Sequence, residues 1–165
     1  MKNFNLIYLI LFSSYSLICQ LKEFNLNNYF LFNYKVKGIN SKYLSDYAAR
    51  LLEKNDVAIF AAFDTLGSGY VIVEKEYQGN ECKKFLENAG RYNFTVISYE
   101  KMNLTEDLYL SIYQLRNNLP LNEPPKFIQL GPKTELSNLL YNKAKDIWIK
   151  KFPEKYKEII KSNNK

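Results

Sequence analysis

The feature that most restricts this chain is an alternation of strand-like and helix-like segments between residues 29 and 102, each too short to fold alone. "YFLFNYKVKGI" (29–39) is aromatic and β-branched and runs out at Gly38, as a strand does. In "SKYLSDYAARLLEKND" (41–56) Tyr43, Leu44, Tyr47, Ala48, Leu51 and Leu52 recur three and four apart. That spacing predicts an amphipathic helix, with Asn40 or Ser41 placed to cap it. "VAIFAAFD" (57–64) and "YVIVEKEY" (70–77) read as strands joined by the glycine-containing turn "TLGSG". "QGNECKKFLENAGR" (78–91) reads as a second helix with Asn80 as N-cap and Gly90 as its stop, and "YNFTVISYEK" (92–101) as a fourth strand.

The order β-α-β-β-α-β predicts an α+β fold, a ferredoxin-like sandwich in which four antiparallel strands carry both helices on one face. The opposite face is then open to solvent, a partner or the rest of the chain, and aromatic strands left bare there would form a large apolar patch. Two segments follow this domain of residues 20–102. Residues 103–133 contain "LPLNEPPKFIQLGPKTE", whose prolines and glycine predict a linker or wrapping arm. Residues 134–165 predict a basic helical extension, in which Leu136, Leu139, Leu140, Ala144, Ile147, Trp148 and Ile149 are the apolar positions and Pro153 ends or bends the helix. Trp148 is the strongest docking candidate, on its own domain or on a partner, because a large aromatic contributes to either contact.

"MKNFNLIYLILFSSYSLICQ" (1–20) places Lys2 before an apolar run from Leu6 to Ile18, which predicts a secretory signal peptide over residues 1–19. The run is shorter than the roughly 20 residues of a membrane-crossing helix. The expected mature chain is therefore exported, to the periplasm, the cell surface or the medium, with no transmembrane helix. Cleavage before Gln20 discards Cys19; lipidation would retain it as an anchor, but Ile18 stands where lipoprotein signals carry a small residue. Formal charge is +6, yet Gln20 to Asn142 hold equal numbers of basic and acidic residues, and the mature excess lies from Lys143 to Lys165. A nucleic-acid surface would spread its basic residues over the fold, so a solvated helical face is expected and no nucleic-acid partner.

Histidine is absent. That removes the commonest general base, the Ser-His-Asp and Cys-His arrangements, and nearly all ordinary zinc and copper sites. Without Cys19, Cys82 is the sole thiol and forms no intramolecular disulfide; a small buried hydrophobe is its expected role.

"YKVKGINSKYLSDYAARLLEKNDVAIFAAFDTLGSGYVIVEKE" and "CKKFLENAGRYNF" resemble a heavy-metal-associated domain, the copper-chaperone-like version of this fold, from Tyr34 to Glu100. The likeness lies in the valine-lysine-glycine strand end, the helix after it, Asp56-Val57 at the second strand and "NAGRY" before the last one. In that family the strand-end glycine leads into a Cys-x-x-Cys loop whose thiolates hold a soft ion such as Cu(I). Here Gly38 matches, Ile39 takes the methionine position, and Ser41 and Leu44 stand at the cysteine positions. A serine hydroxyl is a hard, neutral oxygen and leucine has no donor atom, so the resemblance implies the fold without the metal role or any cofactor. "PPKFIQLGPKTELSNLLYNKAKDIWIKKFPEKYKEI" resembles a tail of small exported Bacteroidota proteins through Tyr141, Lys145, Trp148, Pro153 and Tyr156, which adds Tyr141 and Tyr156 to the docking candidates. "DTL" resembles the O-glycosylation acceptor motif of such proteins, with Thr65 as acceptor.

Other constellations are weaker. "TLGSG" lacks the lysine and strand-to-helix context of a phosphate loop. Glu74 and Glu76 share a strand face, but alternation with Val73 and Lys75 marks a solvated strand end. The expected function is a non-enzymatic interaction or structural module whose partner is an unidentified protein or envelope component. One alternative is metal handling at an unconventional site of Cys82 with Met102 or acidic residues. Another is a histidine-free enzyme, which requires a deep cleft with convergent carboxylates or lysines.

Overall fold

The computed structural model describes residues 23–88 and 91–163. The expected signal peptide with Cys19 and the expected helix stop at Gly90 lie outside the described residues. After a 3-10 turn at Leu26–Asn28 come β1 (Tyr29–Lys37), α1 (Lys42–Lys54), β2 (Phe60–Phe63), β3 (Ser68–Glu74), α2 (Gly79–Asn88) and β4 (Thr95–Met102). Three further helices complete the order, α3 (Glu106–Asn117), α4 (Thr134–Lys151) and α5 (Pro153–Asn163). The fold is α+β, with one four-stranded antiparallel sheet in the order β2-β3-β1-β4. Hence β1 and β2 run parallel with β3 between them, and β3 and β4 run parallel with β1 between them.

Strand alternation sorts the side chains of the sheet onto two faces. On the first, Phe32, Tyr34, Val36, Val71 and Val73 pack with Ala48, Ala49 and Leu52 of α1 and with Cys82 and Leu86 of α2. On the second, Leu31, Phe60, Ala62 and Ile72 pack with Tyr109, Ile112 and Tyr113 of α3 and with Leu140, Ala144, Ile147 and Trp148 of α4. The sheet is the middle of three layers, and every residue of β2, "FAAF", is buried.

Residues 103–133 are not simply a linker, because their first half is α3. Thr105 Oγ1 accepts the Leu108 N–H at 3.3 Å, Glu106 and Asp107 occupy the first turn, Arg116 the last, and Asn118 closes the helix in the left-handed region. Each is a favourable end for a helix dipole or its unpaired backbone groups. The remainder is an extended arm whose carbonyls are held by side chains: Tyr113 Oη and Asn117 Nδ2 donate to Lys126 O at 3.2 and 3.1 Å, and Gln114 Nε2 donates to Pro120 O at 3.2 Å. A segment without secondary structure needs such partners wherever it is packed down.

Of two end signals, Asn80 departs from expectation, whereas the helix before Pro153 ends as expected. Asn80 lies inside the first turn of α2 instead of capping it, and the Glu81 carboxylate accepts the Gln78 N–H at 3.0 Å in the manner of a capping box. Pro153 is the first residue of α5, where its missing N–H breaks no helical bond; α4 has already closed through Phe152 N–H donating to Trp148 O at 2.8 Å.

Candidate functional site

The strand-end loop is built for packing. Gly38 has φ +101°, and a Cβ there would stand 2.9 Å from Asn93 O and 3.3 Å from the Phe94 ring. Glycine is therefore required by both torsion and space. Ile39 is buried, Ser41 Oγ accepts the Leu44 N–H at 3.3 Å and so caps α1, and Leu44 packs against the first-face core. Ser41 and Leu44, expected from the sequence resemblance to stand at metal-ligand positions, serve the start of the helix and its seating.

Cys82 is fully buried on the first face, with Sγ 3.5 Å from Val57 O, and burial pushes its thiol up to about 11 against the lowering contact with Tyr34. A thiol held protonated is a poor nucleophile and a poor ligand. Met102 packs into the second-face core, so the sheet lies between it and Cys82 and the two do not converge. Among the described residues no three or more cysteine or acidic side chains gather as a cation site.

Thr65 sits exposed at the tip of the β2–β3 hairpin. Asp64 Oδ1 accepts the N–H groups of Leu66 and Ser68, both at 2.8 Å, and Gly67 has φ +79° with Val36 O only 1.9 Å from where a Cβ would be. This turn chemistry accounts for "TLGSG" in full. Glu74 and Glu76 lie at the solvated end of β3, where their mutual hydrogen bond raises the Glu74 carboxyl. Trp148 is 1% exposed, and among the described residues its Nε1 meets no acceptor. Tyr141 sets its ring edge against Phe127 at 5.8 Å, and Tyr156 is half-buried on the same core.

The group that sequence reasoning missed is Glu53. It is 5% exposed at the end of α1, where Oε1 accepts the Ala61 N–H at 3.1 Å and Oε2 meets Arg116 Nη2 at 3.3 Å. Arg116 Nη1 also reaches Asp46 Oδ1 at 3.2 Å, which Lys42 Nζ approaches at 2.9 Å. Lys133 of the arm donates to Glu53 O at 2.7 Å and pairs with Asp56. Burial raises the Glu53 carboxyl to about 7, outweighing the lowering effects of Arg116, the Ala61 N–H, Arg50 and Lys133. One signal could have exposed it: Glu53 falls four residues after Ala49, on the stripe that Ala48, Ala49 and Leu52 bury.

Of these charges Arg50, Glu53, Asp56 and Lys133 line a cleft of about 710 Å³, together with Lys54 of α1 and the arm from Gln129 to Pro132. It is a half-enclosed space with a titratable group in its wall, the usual setting of a small-molecule site. No helix among the described residues is long and apolar enough to cross a membrane. No protein-family model, curated protein or solved structure matches this chain.

Proposed function

We propose that this chain is an exported, non-enzymatic interaction or structural module, built on a ferredoxin-like arrangement of the heavy-metal-associated kind whose metal positions have been given over to packing. The arrangement is supported by the parallel pairs β1/β2 and β3/β4, each split by one strand, and by α1 and α2 lying on a single face. The observation that carries the functional reading is the loop after Gly38: Ser41 caps α1 and Leu44 packs half-buried against the core, so the joint that would clasp an ion is used to seat a helix. The partner is a protein or envelope component. A surface open to it is the outer edge of β4, where a register shift opposite Lys35/Val36 accompanies Ile97 at 63% exposure and Tyr99 at 39%.

Histidine-free catalysis has Glu53 in its favour, since a carboxyl near 7 suits proton transfer at neutral pH. Both its oxygens, however, already accept hydrogen bonds that tie α1 to β2 and α3, which fits a structural clasp better. The test of the leading reading is a Cu(I) transfer assay on residues 20–165 under reducing conditions, with a colorimetric chelator as donor. No stoichiometric transfer is expected; transfer abolished by Cys82→Ser would contradict the proposal.

A further inference from the structure

We propose that the cleft between α1 and the arm binds a small organic carboxylate with an apolar body, Arg50 and Lys54 taking the carboxylate while Leu130 and Pro132 take the carbon. This site is independent of the metal reading above and involves none of its residues.

The charges in and around the cleft are paired unevenly. Glu53 is matched by Arg116, and Asp56 by Lys133. Arg50 and Lys54 lie one turn apart on α1 with exposed side chains, and neither has a carboxylate within ion-pair distance among the described residues. Lys54 has the negative end of its own helix as a partner, but Arg50 stands a turn earlier. The cleft wall therefore presents two cationic side chains outside any ion pair, Arg50 acting on Glu53 only at longer range.

The carbon of the site comes from the arm. Leu130 is buried, its N–H donating to Ser137 Oγ at 3.0 Å, and Pro132 comes next across Gly131. A Cβ built on Gly131 would meet nothing within 4 Å, so the middle of the arm faces open space. The two walls are also held before any ligand arrives, because Lys133 bonds Glu53 O and Asp56 while the Glu53–Arg116 pair fastens α1 to α3. A volume of about 710 Å³ lies within the range of small-molecule pockets.

The same geometry argues against a phosphate. Phosphate sites use helix N-termini and clustered backbone N–H groups, whereas α1 directs its C-terminal end at this cleft, and that negative end opposes a doubly charged phosphate more than a single carboxylate. A single negative charge held by an arginine, with carbon beyond it, fits what is there.

The test is an NMR titration of residues 20–165 with octanoate, acetate and octylammonium. Octanoate should give saturable shifts confined to the amides of residues 50–56 and 129–133. Acetate, lacking the body, should bind about tenfold more weakly, and octylammonium, with the charge reversed, should not saturate. The double variant Arg50→Gln/Lys54→Gln should weaken octanoate by about tenfold with its melting temperature unchanged, because both side chains are exposed and unpaired. Lys145→Gln, on the exposed side of α4, should leave octanoate binding as it was. No saturation by octanoate at millimolar concentration, shifts scattered over the surface, or undiminished binding by the double variant would overturn the proposal.

Discussion

On the first face of the sheet the cover is made by the connections between the strands themselves: α1 joins β1 to β2, α2 joins β3 to β4, and their apolar stripes meet Phe32, Tyr34, Val36, Val71 and Val73. On the second face the cover arrives after the last strand, when α3 folds back over Phe60 and α4 comes in across the arm. The first cover is imposed by local order, since a helix between two strands of one sheet has to pack on it. The second depends on contacts distant in sequence, such as Tyr109 Oη donating to Leu140 O at 2.8 Å and Arg116 reaching Glu53. The chain beyond the fourth strand is thus a third layer of the fold. Part of the basic excess near the C-terminus serves it, since Lys143 and Lys151 meet Glu106 and Asp107 at the start of α3, where acidic residues also suit the helix dipole.

Ending the chain after Pro132 is the most severe way to break this comparison. It removes α4 and α5 and exposes Phe60, Ala62, Ile72 and α3 together, so circular dichroism and size exclusion should show loss of cooperative melting or aggregation. An unchanged melting temperature would mean that the second cover is dispensable. Trp148→Ala should cost about 3–5 kcal/mol in urea denaturation, as large aromatic truncations in cores do. Trp148→Phe should cost clearly less, because it also removes an indole N–H buried without an acceptor among the described residues. On the first face, Leu86→Ala should cost about 2–5 kcal/mol, which measures the two covers against each other.

The clasp between the covers should give way next. Arg116→Met leaves Glu53 buried without its cation, a loss of about 3 kcal/mol at pH 8, and the double variant Arg116→Met/Glu53→Leu should recover most of it. Proton linkage at Glu53 should be smaller. Its folded carboxyl near 7 lies above the ordinary value of 4.5, so between those values the folded state holds the extra proton. Its contribution to stability is full below pH 4.5 and is lost as pH rises through about 7, and Glu53→Gln should flatten that slope. The smallest effect belongs to Lys151→Gln, which removes an exposed pair with Asp107 and should cost less than about 1 kcal/mol.

The strands and the first pair of helices were legible because their periodicities are local. β2 carried a further signal: "FAAF" has no polar alternate, as befits a strand buried on both faces. α3 was harder to read. Its capping threonine, acidic first turn and closing Arg116 are all present, but buried Gln114 and two tyrosines blur its apolar stripe and prolines come close behind. Glu53 and Arg116 lie 63 residues apart, and their pairing becomes apparent only once α3 is known to cross behind α1. Trp148 was marked by its size and its place among the helix's apolar positions, whereas its destination required the sheet order and the path of the arm.

Native-state hydrogen exchange tests most directly whether the two covers belong to one core. The amides of Leu140, Ala144 and Trp148 in α4 should exchange with the same opening free energy, and the same denaturant dependence, as those of Leu31 and Ile72 in the sheet and Leu52 in α1. A low-energy opening that releases α4 while the sheet and α1 stay protected would contradict the account, and would make the C-terminal helices an appendage to a two-layer domain.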